Sequence, residues 1–438
     1  MFDSLKSIIK TIIARVIERE ARLVLARFKP RIIAVTGSVG KTSTKDAVFN
    51  VLRPSFSARK SEKSYNSEFG LPLTILGQPS AWMSPLGWAK IIFMGATEIF
   101  FPAKYPEWLV LEIGADRPGD IRRMMKWLKP DIGVLTRLPD IPVHIEFFGD
   151  RDGVVREKLA LAQGVKKDGL IIYNRDDDTL HERVKDLSQK KITYGFAAEA
   201  DVKASNVQII YDENEGQKLP TGLSFKIDYN GQIIPIRIKG VVGRHQIYAT
   251  LAALSVAVAE NLNIVAVAET IQSSHEGPPG RLKLISGVKG SLILDDTYNS
   301  SPAALEAAIL TLGEIETSGQ KIAVLGDMLE LGEHTIEAHR QAGKLVAAHC
   351  DRLITVGLRS KFIEEGAKEG GMKEEQIEHF DTSTEAGVAL EKLLALGAIA
   401  LIKGSQGMRM ERAVLEVMRE PLRAEELLCR QELEWLKR

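Results

Sequence analysis

The stretch Ala34–Val48, AVTGSVGKTSTKDAV, decides which kind of domain this chain builds. It continues an apolar run that begins at Ile32, so a short buried strand leads directly into a glycine-framed turn and then into helical spacing. In such a strand–turn–helix unit, backbone N–H groups and the helix N-terminus face a phosphate, the lysine neutralises it, and the threonine hydroxyl can hold Mg²⁺. The predicted phosphate loop consists of Gly37, Ser38, Val39, Gly40, Lys41, Thr42 and Ser43.

The rest of the chain alternates short β-branched runs with stretches of helical period. The strand candidates are Arg31–Thr36, Trp108–Ile113, Asp131–Thr136 and Leu170–Asn174, and later Ser291–Asp296, Lys321–Gly326, Arg352–Val356 and Ala398–Lys403. This alternation predicts parallel strands joined by crossover helices. Residues 201–240 have instead the pattern of antiparallel strands, with a hairpin turn at Asn230-Gly231. We therefore expect an α/β fold: a P-loop-type central domain with a mostly parallel sheet and a small antiparallel portion, followed by a Rossmann-like α/β domain.

The segment His275–Arg281, HEGPPGR, is rich in glycine and proline and predicts a domain boundary. We expect an amphipathic helix over residues 1–29, a nucleotide-binding central domain over residues 30–276, and a C-terminal Rossmann-like domain with a helical tail over residues 277–438. A hinge at this boundary would let the two larger domains close over a nucleotide and exclude water.

Composition places the chain among ordinary globular proteins, with 438 residues, 45% hydrophobic and 26% charged. Its formal net charge is zero, which gives no indication of nucleic acid binding. The two cysteines, Cys350 and Cys429, are too few for a disulfide framework and indicate a reducing compartment, the cytoplasm.

Two apolar segments raise the question of a membrane. Residues 1–28 place apolar side chains at helical spacing with lysines and arginines among them, so this helix either packs on its own domain or lies on a membrane surface. The second segment, Leu86–Phe101, is interrupted by Lys90 and Glu98 and is too short to span a bilayer. We expect it to form a helix that is buried or faces a partner.

Three polar side chains follow the phosphate loop along the chain. Glu112 ends a predicted strand, His144 comes after the next strand, and Lys158 lies on a predicted helix. A carboxylate at the carboxyl end of a parallel strand reaches the same sheet edge as the phosphate loop. Each residue taken singly has an ordinary structural explanation, and a hydrolase, a kinase and a ligase all remain open at this stage.

With these residues in place, the sequence resembles the Mur ligases, ATP-dependent amide-forming enzymes of peptidoglycan assembly, over roughly residues 30–415. The family's T-G-[ST]-x-G-K-[ST] loop matches Thr36–Thr42, and Ser64–Thr74 resembles the segment after it, with Asn66 and Gly70 in place. Four later segments resemble the branch of the family that adds D-alanyl-D-alanine: Gly280–Leu282, Asp295–Leu305, Gly326–Gly332 and Lys403–Glu411.

The resemblance implies roles for individual residues. It implies two Mg²⁺ ions whose ligands are Thr42, Glu112, His144 and Lys158, the last as a carbamate. It implies that the catalytic residues are Lys41, His144, Lys158 and Arg281. It also implies that ATP contacts, beyond the phosphate loop, come from His245, Arg281, Asp296 and Asn299. A carbamate suits such a site because an ammonium group repels Mg²⁺, whereas a carbamate offers the anionic oxygen that Mg²⁺ prefers.

The implied reaction joins a muramoyl-peptide carboxylate to D-alanyl-D-alanine through an acyl phosphate and releases ADP and phosphate. Two alternatives remain: another ligase of the superfamily, of the polyglutamate or cyanophycin type, and a non-catalytic nucleotide-binding partner. Family members carry an N-terminal domain that holds the UDP end of the substrate, whereas about one helix precedes the loop here. We therefore expect that end to be held differently, for example by a partner chain, or the acceptor to be another molecule.

Overall fold

The computed structural model of the chain describes residues 2–61, 69–81, 84–101, 104–140, 145–214, 217–274, 277–432 and 435. Its α-helices are α1 (Phe2–Phe28), α2 (Lys41–Leu52), α3 (Gly70–Leu76), α4 (Pro85–Phe100), α5 (Asp120–Met124), α6 (Ile145–Phe148), α7 (Arg151–Gly164), α8 (Asp178–Val184), α9 (Arg244–Ala259), α10 (Ile264–Ser274), α11 (Pro302–Glu314), α12 (Thr335–His349), α13 (Lys361–Glu369), α14 (Ser383–Leu393), α15 (Glu411–Val417) and α16 (Ala424–Leu427).

The strands account for most of the remaining regular structure. They are β1 (Arg31–Thr36), β2 (Ala58–Lys60), β3 (Trp108–Glu112), β4 (Ile132–Leu135), β5 (Leu170–Asn174), β6 (Lys190–Gly195), β7 (Val202–Asn214), β8 (Gln217–Tyr229), β9 (Gln232–Lys239), β10 (Lys283–Ser286), β11 (Leu292–Asp296), β12 (Lys321–Gly326), β13 (Arg352–Val356), β14 (Ile377–Phe380) and β15 (Ile399–Lys403).

The chain divides into two compact units. The first contains Met1–Leu138, Asp152–Lys203 and Tyr248–Ile271, and the second contains Pro139–Arg151, Ala204–Ile247 and Gln272–Arg438. The predicted domain boundary near residue 276 stays a prediction. The two compact units are defined by contacts in space, and they place β8 and β9 with the C-terminal part of the chain.

The first unit is organised around parallel strands in the order β2-β3-β1-β4-β5-β6. β1 is central and pairs with β3 on one side and β4 on the other, in a register that sets Val35 beside Glu112. Parallel strands end at a common edge, so the turn after β1 and the carboxylate that ends β3 are neighbours. This register positions the candidate site.

The second unit contains a six-stranded sheet in the order β10-β11-β15-β12-β13-β14. β10 runs antiparallel to β11, and the other pairs are parallel. Alternate residues of β12 enter different hydrophobic cores: Ala323 and Leu325 join one cluster, and Ile322 and Val324 join another. Both faces of the sheet are therefore covered, as in a doubly wound fold.

The expected α/β class is confirmed, including the antiparallel portion. β8 and β9 form a hairpin whose turn residues Asn230 and Gly231 have φ of 50° and 76°, the left-handed values that a type I′ turn needs. The short strands β2, β6, β10 and β14 were not predicted, because they lack the continuous apolar run that marks the predicted strands.

The N-terminal helix packs on its own unit. α1 buries Ile17, Ala21 and Val24, a stripe at helical spacing, and its neighbours are α3 and α4. α4 buries only Ile91 and Gly95 on that side. The expectation that Leu86–Phe101 forms a buried or partner-facing helix is thus met on one face only, because the opposite side of α4 is exposed.

Candidate functional site

The phosphate loop has the conformation that its glycines predict. Gly37 has φ of 146°, and a Cβ built there would lie 1.9 Å from Thr136 Oγ1. Gly40 has φ of 82° and caps α2 in the left-handed region. The loop is held against the end of β4, since Ser38 N donates to the Arg137 carbonyl at 2.9 Å and Thr136 Oγ1 donates to the Val39 carbonyl at 2.7 Å. A side chain at either glycine would be strained.

The loop and the start of α2 present several polar groups to a ligand. α2 begins at Lys41, so the N–H groups of its first turn lie beside the loop. Lys41 Nζ is 3.4 Å from the Ser38 carbonyl. Ser38 Oγ is buried and has no hydrogen-bond partner within the described part of the chain, and a buried hydroxyl of this kind usually has one. These groups fit a bound phosphate, which accepts hydrogen bonds from N–H and O–H donors.

Thr42 and Glu112 meet beside the loop. Thr42 Oγ1 donates to Glu112 Oε2 at 2.9 Å, and Glu112 is buried at the end of β3. A hydroxyl and a carboxylate are both oxygen ligands of the type that Mg²⁺ prefers. The structure therefore brings together two of the four predicted metal ligands.

Lys158 on α7 is the third predicted ligand, and it is buried. Burial, and after it the charge of Lys41, lower its pKa to about 7, against the carboxylates of Asp116, Glu157 and Glu112, which raise the pKa. Glu157 is engaged elsewhere, because it accepts the N–H groups at the start of α5. A large fraction of Lys158 is therefore neutral near pH 7, so it has a free lone pair.

The fourth predicted ligand, His144, lies outside the described residues, as does Asn66. Across the ranges given above, no group of three or more histidine, cysteine, aspartate or glutamate side chains is arranged to hold a metal ion. The hydroxyl–carboxylate pair of Thr42 and Glu112 is accordingly the part of the metal-site prediction that the geometry supports.

The second unit collects the other predicted nucleotide contacts. The Arg281 guanidinium lies over the Tyr298 ring, 4.0 Å from its centroid. Asp296, at the end of β11, accepts a hydrogen bond from Lys403 Nζ at 2.6 Å. The same Nζ donates to the Asn299 carbonyl at 2.8 Å. Lys403 thus links Asp296 to Asn299, and Arg281 contacts Tyr298, the residue that precedes Asn299.

His245 is half-buried and belongs to the same group. Burial lowers the pKa of its imidazole. The charge of Asp296 raises this pKa, and the charges of Lys403 and Arg281 lower it. Its Nδ1 has no hydrogen-bond partner among the described residues. The neighbouring Gln246 donates from Nε2 to the Arg281 carbonyl at 2.6 Å. A neutral imidazole with an open nitrogen suits a planar, uncharged ligand group.

Sequence reasoning missed several residues that the structure places in these groups: Asp116, Thr136, Gln246 and Lys403. Lys403 offered a signal, because it ends a buried strand and opens one of the matched segments. Thr136 offered none, since its role depends on how close β4 lies to the loop.

Comparison with known proteins agrees with this geometry. Residues 92–257 match the Mur ligase middle domain, and residues 280–406 match the Mur ligase glutamate ligase domain. The UDP-N-acetylmuramoyl-tripeptide–D-alanyl-D-alanine ligase of Bacillus subtilis is 30% identical over 407 residues, which cover 93% of this chain and 80% of that protein. The Escherichia coli ligase of the same name is 27% identical, over 88% of this chain and 76% of its own length.

Solved structures show the same likeness. A MurF ligase from Thermotoga maritima in complex with ADP superposes with a TM-score of 0.75 at 26% identity and covers 92% of this chain and 83% of its own. MurF from Acinetobacter baumannii, at 23% identity, has the same fold with a TM-score of 0.74, over 92% of this chain and 79% of its own. The phosphate loop, the matched domains and an identity of 30% over most of a curated relative together establish that the chain belongs to the Mur ligase family.

Proposed function

We propose that this chain is an ATP-dependent ligase of peptidoglycan precursor synthesis that joins D-alanyl-D-alanine to a muramoyl-tripeptide. The observation that carries the proposal is the clustering of the phosphate loop, the Thr42–Glu112 pair and the buried Lys158 in one unit. The substrates follow from the names of the relatives described above. An amide ligase that uses another carboxylate and amine is the alternative.

The residues of this chain would neutralise the negative charges of ATP and of the acceptor carboxylate. Lys41 and the amide groups at the start of α2 hold the phosphates of ATP, and Arg281 offsets the repulsion as the acceptor carboxylate approaches the γ-phosphate. At 4 Å, two unit charges repel by about 4 kcal/mol at an effective dielectric near 20. The acceptor becomes an acyl phosphate with release of ADP, and the amine then displaces phosphate.

Mg²⁺ fits the first step. Thr42 and Glu112 would hold one ion, and His144 and Lys158 a second, so that these cations neutralise charge on the γ-phosphate and the acceptor. In the other unit, Asp296 would bind the ribose, and His245 and Asn299 would be further contacts of the nucleotide. Domains over residues 30–276 and 277–438, closing about a hinge between them, would exclude water from the acyl phosphate.

Lys158 is proposed to carry a carbamate. Its neutral amine would attack CO₂, form an N–C bond and release one proton, leaving an anionic oxygen for Mg²⁺. Burial and a pKa near 7 support this chemistry, because only an unprotonated amine is nucleophilic. Labelling with ¹³C-bicarbonate and carbon NMR test it: we expect a carbamate resonance in the wild-type protein that is absent from Lys158→Met.

The ligation itself is tested with purified protein, ATP, Mg²⁺, UDP-N-acetylmuramoyl-tripeptide and a panel of amines. We expect ADP release to depend on both acceptor and D-alanyl-D-alanine. With ¹⁸O in the acceptor carboxylate, one labelled oxygen should pass into the released phosphate. Lys41→Ala should lose this activity. Turnover with another amine only, or phosphate without label, would show that the assigned reaction is wrong.

The location and surface contacts are proposed on separate grounds. ATP as a substrate and two free cysteines agree with a cytoplasmic site of action. None of the helices in the described ranges combines the length and the apolar character needed to cross a bilayer. Such helices can still lie on a membrane surface. The side of α1 and α4 that faces away from the unit supports a peripheral contact of this kind.

This outer side is apolar and lies among basic residues. Leu86, Phe93 and Phe100 form a stripe on α4 at intervals of seven residues, with exposures of 84%, 67% and 71%. Ile9 and Ile12 are exposed on α1, whose lysines and arginines outnumber its acidic residues. Aromatic and aliphatic side chains beside cations suit an anionic lipid surface. The competing proposal is that this surface binds a partner chain, which in turn binds the UDP end of the acceptor.

Sedimentation with anionic vesicles tests the contact. The triple variant Leu86→Ser, Phe93→Ser, Phe100→Ser should sediment less than the wild type. The control replaces three exposed leucines of the other unit, Leu358, Leu396 and Leu422, by serine and should leave sedimentation unchanged. Equal sedimentation of both variants, or none by the wild type, removes the membrane contact.

A further inference from the structure

The first unit contains a cavity of about 650 Å³ whose lining residues have no role in the reaction steps assigned above. Its described lining comes from α1, from the start of α3 and from the segment that joins β3 to α5 and continues to Trp127. Pockets of roughly 300–1,000 Å³ are typical of sites for small organic ligands. The question is which ligand suits these walls.

The cavity adjoins the candidate reaction site. Gly114 lines it and lies two residues after Glu112, the carboxylate that pairs with Thr42. Asp116 also lines it, and the charge of Asp116 acts on the buried Lys158. A ligand seated here therefore has one end beside the groups assigned to the γ-phosphate and the metal ions.

The walls combine aromatic rings with three cations, Lys10, Arg117 and Arg123, and with three carboxylates, Glu18, Asp116 and Asp120. Lys10 Nζ lies 5.5 Å from the centroid of the Phe69 ring, and Trp127 forms another wall, with Arg22 stacked 5.4 Å from its ring. Arg117 lines the segment after β3. Rings and cations together bind organic molecules that carry anionic groups.

Two of these cations are available to a ligand. Arg123 pairs with Asp120 at 2.8 Å, and the other oxygen of Asp120 accepts the Arg117 N–H at 2.9 Å, so the loop backbone is fixed. Neither Lys10 nor Arg117 forms a salt bridge to a carboxylate within the described ranges, and both residues are exposed and line the cavity. Of the lining carboxylates, Glu18 pairs with Arg22 and Asp120 with Arg123. Exposed cations that line a pocket and have no carboxylate partner favour an anionic ligand.

We propose that this cavity binds the acidic peptide portion of the acceptor, with Lys10 and Arg117 paired to its carboxylates and with α1 as one wall. The inference rests on the proposed ligase function and deepens it, because it gives α1, which lies outside both matched domain segments, a part in binding the acceptor's peptide. Peptide carboxylates are favoured over the diphosphate of a nucleotide, since the reacting carboxylate must lie beside Lys158.

Steady-state ligation on the full chain gives the first test, with saturating ATP and D-alanyl-D-alanine and varied UDP-N-acetylmuramoyl-tripeptide. Lys10→Ala and Arg117→Ala should each raise the acceptor KM about fivefold, with kcat and the KM for ATP changed less than about twofold, as expected for partly exposed ion pairs. Lys10→Arg should restore most of the affinity. Arg122→Ala is the matched control, because this exposed arginine on α5 is outside the described lining.

Calorimetry without ATP separates this inference from the ligase assignment. The probes are the free tripeptide and UDP alone. Weaker tripeptide binding by Lys10→Ala and Arg117→Ala, with UDP binding unchanged, supports the cavity even if no ligation is found. Weaker UDP binding with unchanged tripeptide binding overturns the peptide assignment, as does an unchanged acceptor KM in an active enzyme. No binding of either probe by the wild type also overturns it. Equal thermal midpoints of all variants exclude misfolding as the cause.

Discussion

Replacing Lys403 by methionine should destabilise the second unit strongly. Lys403 Nζ donates to Asp296 Oδ2 at 2.6 Å, and the two side chains are 2% and 10% exposed. Methionine keeps the length and apolar volume of the lysine stem but removes the ammonium group. The buried carboxylate of Asp296 would then have lost its cation, and the Asn299 carbonyl would have lost a donor.

The expected size follows from the geometry. At 2.6 Å and an effective dielectric near 20, the attraction of the pair is about 6 kcal/mol, most of which offsets the cost of removing both charges from water. Breaking a buried pair by removing one partner leaves that cost uncompensated, so we expect Lys403→Met to lower the free energy of unfolding by about 3–5 kcal/mol. The double variant Lys403→Met, Asp296→Asn removes both charges and should recover most of the loss.

Urea unfolding, followed by circular dichroism at pH 7 and one protein concentration, measures all four proteins of this double-mutant cycle. The coupling free energy between the two positions should exceed about 2 kcal/mol. A loss below about 1 kcal/mol for Lys403→Met would refute the buried pair. A double variant no more stable than Lys403→Met would show that lost packing, rather than an unpaired charge, causes the effect.

Three further predictions concern the loop, the buried amine and pH. Gly37→Ala should weaken binding of an ATP analogue at least tenfold in calorimetry. Adding Thr136→Gly should restore only part of this affinity, because it removes the clash but leaves about 1–2 kcal/mol of backbone strain at φ of 146°. Full restoration of the affinity would contradict this. Lys158→Met should lower ligation at least a hundredfold with ATP-analogue binding within about threefold, and near-normal ligation would exclude its assigned role. Burial raises the pKa of Asp295 from 3.8 to about 6. Because the folded state then binds more protons than the unfolded state between these values, urea unfolding should show the wild type losing up to about 3 kcal/mol relative to Asp295→Asn as pH rises from 4 to 7; a constant difference would contradict the assignment.

Local patterns were sufficient for much of the fold and part of the site. The strands Arg31–Thr36 and Leu170–Asn174 have the predicted bounds, because a buried β-branched run with turn signals at both ends is a local feature. The phosphate loop was predictable for the same reason, since its turn needs backbone angles that glycine adopts and few other residues tolerate. The assigned roles of His144 and Lys158 came from family resemblance rather than from any local pattern.

The sequence by itself determined the order of strands and helices and the strand–turn–helix unit that ends at Thr42, because hydrophobic periodicity and glycine conformation depend on neighbours along the chain. Only the tertiary structure decided that Glu112 meets Thr42, that Lys403 neutralises Asp296, and that a cavity opens beside Asp116. Those contacts depend on strand order and on the packing of α1, which join residues far apart in the chain. They are set by burial of the whole core rather than by any short segment.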